Sequence, residues 1–122
     1  MARIFKDEGF AKRARKARIS NEALRDAVVS ADSGLVDAYL GGELIKQRIA
    51  REGEGKSGGF RTVLAFRRED RAFFVHMFAK NDEANISSQD LEALKVYART
   101  LLRLTEPDLA RALDEGVLEE IE

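Results

Sequence analysis

Two runs, Phe60 to Arg67 and Arg71 to Lys80, are joined by a short charged connection. They limit what this chain can fold into more than any other feature. Aromatic and β-branched residues in runs of this length read as strands, and the polar link folds them into an antiparallel hairpin. With Glu69-Asp70 as the tight loop, Arg68 lies opposite Arg71, Val63 opposite His76 and Ala65 opposite Phe74. One face then collects Phe60, Leu64, Phe66, Phe73, Val75 and Met77 as a core face. The other carries Arg61, Val63, Ala65, Arg67, Phe74, His76, Phe78 and Lys80. A slip of one residue would exchange the faces of one strand, so this sorting depends on the register.

Further elements read outward from the hairpin. Arg3-Ile4-Phe5 is a short edge strand, followed by a basic helix over Lys6 to Ala17. Its Lys12, Arg13, Arg15 and Lys16, with Arg18 just beyond, form either a solvated face or one that contacts a nucleic-acid backbone. Ser20 caps a second helix, Asn21 to Ala31, whose Leu24, Ala27, Val28 and Ala31 recur at i, i+3, i+4 and i+7. The two helices form an N-terminal hairpin. Leu35 to Gly42 is a loop with a short extended piece, and Gly41-Gly42 punctuates before a strand over Glu43 to Ala50. Alternation there sets Ile45, Gln47 and Ile49 on one face and Leu44, Lys46 and Arg48 on the other. Ser87 opens a third helix with the buried stripe Leu91, Leu94, Ala98, Leu101 and Leu102. Pro107 marks a restart in a fourth helix. The tail from Val117 is a short strand or frayed. The pattern predicts one α+β domain over residues 1–122, with helices packed on a small antiparallel-rich sheet.

Composition excludes several function classes. The 122 residues contain no cysteine and one histidine, which rules out disulfides, thiolate metal sites and a multi-histidine metal centre. No apolar run approaches the ~20 residues of a membrane span, and the first residues lack a signal-peptide core. A cytoplasmic protein with no membrane partner, no metal and no cofactor is expected. The formal net charge of −1 hides blocks: +5 over residues 1–25, −4 over 26–45, +5 over 46–80 and −7 over 81–122. A basic middle between acidic segments fits a localised anion-binding face, or else scattered surface charge.

The segment Gly53 to Arg61 places Lys56 among four glycines and Arg61 at its exit into a strand. A lysine point charge beside an arginine fork suits a phosphate group, whereas a plain turn would leave Lys56 solvated. A nucleotide-binding P-loop is rejected, because position 50 is Ala50 and a strand, not a helix, follows. Lys46, Arg48 and Lys80 share the face of Arg61 if the strands are neighbours. His76 lies on that cationic face between Phe74 and Phe78. Nearby positive charge would keep it neutral and able to accept a proton, though a single histidine flanked by phenylalanines is more often a packed, hydrogen-bonded residue.

Gly55-Lys56-Ser57-Gly58-Gly59-Phe60-Arg61-Thr62, then Arg71-Ala72-Phe73-Phe74-Val75 and Phe78-Ala79-Lys80-Asn81, resemble the RelE/ParE superfamily of bacterial toxins, more narrowly its RelE-type branch. The likeness extends to Leu40-Gly41-Gly42 and Asn85-Ile86-Ser87, covering about residues 3 to 118. It implies a microbial RNase-like fold: two N-terminal helices on a sheet whose open face holds the site. It also implies the toxin of a type II toxin–antitoxin system, partnered by a cognate antitoxin. RelE-like members cut messenger RNA without a metal, typically on the ribosome, and so inhibit translation. By that likeness Arg61 holds the scissile phosphate, with Lys56 and Lys80 at basic positions beside it. Lys46, Arg48 and Arg67 would contact RNA.

Two departures bear on mechanism. Asn81 stands where the branch often has an arginine, and Asp82 to Gln89 contains no tyrosine. The proton-accepting role therefore passes to His76 or Lys56. The alternatives are a ParE-like gyrase inhibitor and a catalytically inactive toxin relative serving as an interaction module.

Overall fold

The computed structural model describes residues 1–49, 59–79 and 86–122. Elements follow in the order β1 (Arg3–Asp7), α1 (Glu8–Lys16), α2 (Asn21–Asp32), β2 (Ala38–Gly41), β3 (Leu44–Ile49), β4 (Phe60–Arg67), β5 (Arg71–Ala79), α3 (Ser88–Leu102), α4 (Glu106–Asp114) and β6 (Leu118–Ile121). The strands form one sheet of six in the order β2-β3-β4-β5-β1-β6. β1 and β5 run parallel, and the other pairs are antiparallel. No helix among the described residues is long and apolar enough to cross a membrane.

Each helix begins where a side-chain oxygen replaces a missing backbone acceptor. Asp7 accepts from the Phe10 amide at 2.7 Å, Ser20 from Ala23 at 3.1 Å, Ser87 from Asp90 at 3.0 Å and Thr105 from Asp108 at 3.2 Å. Gln47, buried among apolar residues, donates to the Ala27 and Leu35 carbonyls and accepts from the Asp37 amide. It thus joins α2 and the entry to β2 onto β3. The Asp32 carboxylate accepts from the Ala2 and Glu69 amides, tying the N-terminus and the β4–β5 turn to α2.

Apolar clusters cover both faces of the sheet. On one side Phe10 and Ala14 of α1 and Leu24 and Val28 of α2 meet Ile4, Ile45, Leu64, Phe74 and Met77. α1 packs chiefly on β5 and β1, and α2 on β3. On the other side Ala98, Leu101 and Leu102 of α3 and Leu109 of α4 meet Phe5, Leu44, Val63, Ala65 and Phe73. The expected open face carrying Arg61 is therefore covered over much of its area. The apolar stripe of α3 requires a partner, and the small and β-branched residues of β4 supply one.

The hairpin register differs from the expected one near the turn. Val63 does lie opposite His76, and Arg61 opposite Phe78, but Ala65 pairs with Phe73 and Arg67 with Arg71. A bulge at Val75, between the Val63 and Leu64 pairs, absorbs the extra residue. The turn spans Arg68-Glu69-Asp70, with Glu69 at φ 57°. The bulge reverses the expected placement of two phenylalanines. Phe74 packs at a tilt against Phe10 (5.2 Å between centroids) in the α1 layer, and Phe73 stacks on Phe5 (4.9 Å) in the α3 layer. β1 is also not an edge strand, because the tail forms β6 and pairs along its far side. Burial of Leu118 and Ile121 holds that tail in place.

Candidate functional site

β1 pairs only with Arg71 to Phe74 of β5, since the chain leaves β1 after Asp7 to form α1. The far half of β5 thus runs past its neighbour. α1 lies alongside it: Phe10 packs on Phe74, and the Arg13 guanidinium donates to the Met77 carbonyl. A cleft of about 1030 Å³ opens there, with Arg13 and Lys16 of α1 on one wall and Asp90, Leu94 and Tyr97 of α3 on the other. His76, Met77 and Phe78 of β5 line it between them.

His76 is half-buried, its ring 5.9 Å from that of Phe78, with Arg13 Nη1 3.4 Å from its Nδ1. Burial lowers the imidazole's pKa and the Arg13 charge lowers it further, against weaker opposite pulls from Asp90 and Asp7. The ring is therefore neutral at pH 7. An arginine can only donate, so the contact implies that Nδ1 accepts and Nε2 carries the hydrogen. For His76 to take a proton at Nδ1, Arg13 must first move away.

Beside the cleft sits a half-buried pair, Asp7 and Tyr97. The Tyr97 hydroxyl donates to Asp7 Oδ2 at 3.0 Å, while Asp7 Oδ1 caps α1. Burial pushes both groups up, and the neighbouring Asp7 charge raises the tyrosine further. Tyr97 is thus held as a neutral hydroxyl. Its contact locks α3 against the β1–α1 junction and fixes the width of the cleft.

The cations singled out in the sequence divide into groups. Arg61 is buried on β4 (7% exposed), directly between Arg48 of β3 and Phe78 of β5. Lys46 lies opposite Val63 on the same face. That group is not free of acid, because the Arg48 amide and guanidinium both reach Asp37. Arg67 stands six residues along β4 from Arg61, roughly 20 Å at strand rise. There its fork is held by both oxygens of Glu43, at 3.1 and 3.2 Å, and it also donates to the Leu102 carbonyl. Those partners give Arg67 a structural occupation, binding the β2–β3 turn to the end of α3. Lys56 and Lys80 lie outside the described residues, as does most of the glycine-rich segment.

A family model described as the RelE toxin of the RelE/RelB toxin–antitoxin system matches residues 2–121. This chain belongs to the RelE toxin family. It is accordingly the toxin of a toxin–antitoxin pair, and an antitoxin is its partner. No curated protein matches the chain.

In this RelE family member, the sequence marks Arg13 and Lys16 only as part of a basic helix face that is either solvated or backbone-contacting, and it gives Asp7 and Tyr97 no site role. Each left a signal. Arg13 and Lys16 recur at i, i+3 beside the apolar Phe10–Ala14 stripe, so they flank whatever α1 packs on. Tyr97 falls between Leu94 and Leu101 at helical spacing, a hydroxyl on an otherwise apolar stripe that needs a buried acceptor.

Proposed function

We propose that this toxin is an endoribonuclease that cuts messenger RNA, presented by the ribosome, and so stops translation in the cytoplasm. The cleavage is a metal-free transesterification. The 2′-hydroxyl loses its proton to a base and attacks the adjacent phosphorus. The bond to the 5′-oxygen breaks, and that oxygen takes up a proton, leaving a 2′,3′-cyclic phosphate and a 5′-hydroxyl. Arg61 holds the scissile phosphate, and Lys56 and Lys80 add charge as the phosphorane forms. Preorganised cations of this kind contribute roughly 10²–10³-fold each. Lys46 and Arg48 follow the RNA backbone, and His76 or Lys56 handles the proton. Ribosomal positioning of the substrate would let so small a protein work with few acid–base groups.

The observation that carries this reading is the family match over residues 2–121, joined to a strand-borne Arg61 shielded from water between Arg48 and the cleft residue Phe78. A phosphate reaching such a guanidinium meets a charge little diluted by solvent. The test is purified toxin added to ribosomes carrying a defined message. New fragments ending in cyclic phosphate are expected. Intact message together with inhibited DNA supercoiling by gyrase would replace this reading with gyrase poisoning.

A further inference from the structure

We propose that the cleft between α1 and α3 is a second RNA subsite, holding the nucleotide next to the cleaved linkage, with Arg13 and Lys16 on its phosphate. This deepens the RNA-cleaving reading and rests on it. Arg13 and Lys16 are both exposed on the α1 wall, one turn apart, and neither forms an ion pair with a carboxylate among the described residues. Arg13 is also fixed in place, since it donates to the Met77 carbonyl and lies against His76 Nδ1. A cation anchored by neutral acceptors keeps its charge for an incoming anion and loses little side-chain freedom on binding.

The remaining lining fits a nucleoside. Half-buried Tyr97 and His76 line the same cleft, with the largely buried Phe78 beside them, and a cationic edge beside aromatic walls is how single-stranded nucleic acid is held without sequence preference. Asp90, the acidic residue of the opposite wall, is placed to accept from a base amino group, as carboxylates do from cytosine. Position along the sheet supplies continuity. Phe78 pairs with Arg61 across β4–β5, so a strand of RNA leaving Arg61 passes over one residue pair to enter the cleft.

The test is equilibrium binding of a mixed-sequence 2′-deoxy hexanucleotide, which lacks the attacking hydroxyl, to the intact toxin, compared with a dinucleotide. Lys16→Glu is expected to weaken hexanucleotide binding by roughly tenfold and dinucleotide binding far less, at an unchanged melting temperature. Lys16→Ala should lower the slope of log K against log salt by about 0.7, the loss of one single-strand phosphate contact. Arg13→Gln should act in the same direction. If Arg61→Ala weakens binding while the Lys16 and Arg13 variants bind as wild type does, the subsite is refuted and the cleavage reading survives. If the wild type binds no hexanucleotide, the subsite is refuted, while the cleavage reading is decided separately by the assay on ribosomes. If a polyglutamate peptide binds more tightly than the hexanucleotide and depends on Lys16, the cleft serves an acidic protein segment and the proposal is wrong.

Discussion

Replacing Asp7 tests how the cleft is held open. Asp7→Ala removes the acceptor of the Phe10 amide and of the Tyr97 hydroxyl at once. Loss of the N-cap costs about 1 kcal/mol. Loss of the tyrosine contact, with its hydroxyl left half-buried, costs about 1–2 kcal/mol more. The sum, about 2–3 kcal/mol, is a large share of the roughly 5–15 kcal/mol that stabilises an ordinary domain. Tyr97→Phe removes only the second contact and should cost about 1 kcal/mol. Urea unfolding of wild type, both single variants and the double variant gives the coupling directly, expected at about 1 kcal/mol with m-values unchanged. Additive losses, with coupling below about 0.3 kcal/mol, would refute the claim that this pair locks α3 to the β1–α1 junction. Asp7→Asn keeps a good cap and removes the charge. Because burial raises the Asp7 carboxyl above its ordinary 3.8, the native state holds that proton more tightly than the unfolded chain. Its stabilising effect is complete below 3.8 and is lost as pH rises through the folded value. Wild type should therefore have its greatest advantage over Asp7→Asn in acid, and a smaller one at pH 7.

The imidazole has the opposite sign. His76 titrates below its ordinary 6.5 in the native state, so the unfolded chain binds the proton first as pH falls. Stability should drop from pH 6.5 downward in wild type, and this step should be missing in His76→Gln; identical acid profiles by thermal melting would contradict the burial of the ring. Gly42 has φ 59°, and a Cβ there would come within 2.9 Å of Lys95 Cγ. Gly42→Ala should cost at least about 1–2 kcal/mol for the left-handed backbone alone, measured by chemical denaturation. A loss near zero would contradict both the left-handed backbone at Gly42 and the close approach of the β2–β3 turn to α3.

Much of the fold was legible because its local signals agree. The caps Ser20 and Ser87 and the stripe Leu24, Ala27, Val28 and Ala31 locate α2 and α3 within a residue or two. Alternation in β3 sorts Ile45, Gln47 and Ile49 from Leu44, Lys46 and Arg48 as the structure does. The turn-proximal half of the hairpin was not legible. Phe73 and Phe74 are equally apolar, both layers of the protein are apolar, and a bulge at Val75 leaves no mark in composition. Nor could alternation tell a solvated face from one facing α3. Val63 and Ala65 read as tolerated apolar residues on a cationic face, when they are the seat of that helix. The cleft depends on where β1 ends relative to β5, a long-range pairing that neither segment encodes alone. Arg13, Tyr97 and His76 meet only through that pairing.

The central claim is that a guanidinium on β4 serves RNA cleavage, and induced expression in bacterial cells tests it most directly. Primer extension across abundant transcripts should find new internal 5′-hydroxyl ends within minutes of inducing the wild-type toxin. Arg61→Ala, expressed to the same level and equally well folded by circular dichroism, should produce none and should not arrest growth. Growth arrest by the variant equal to wild type, or arrest by wild type with every transcript intact, would contradict the account.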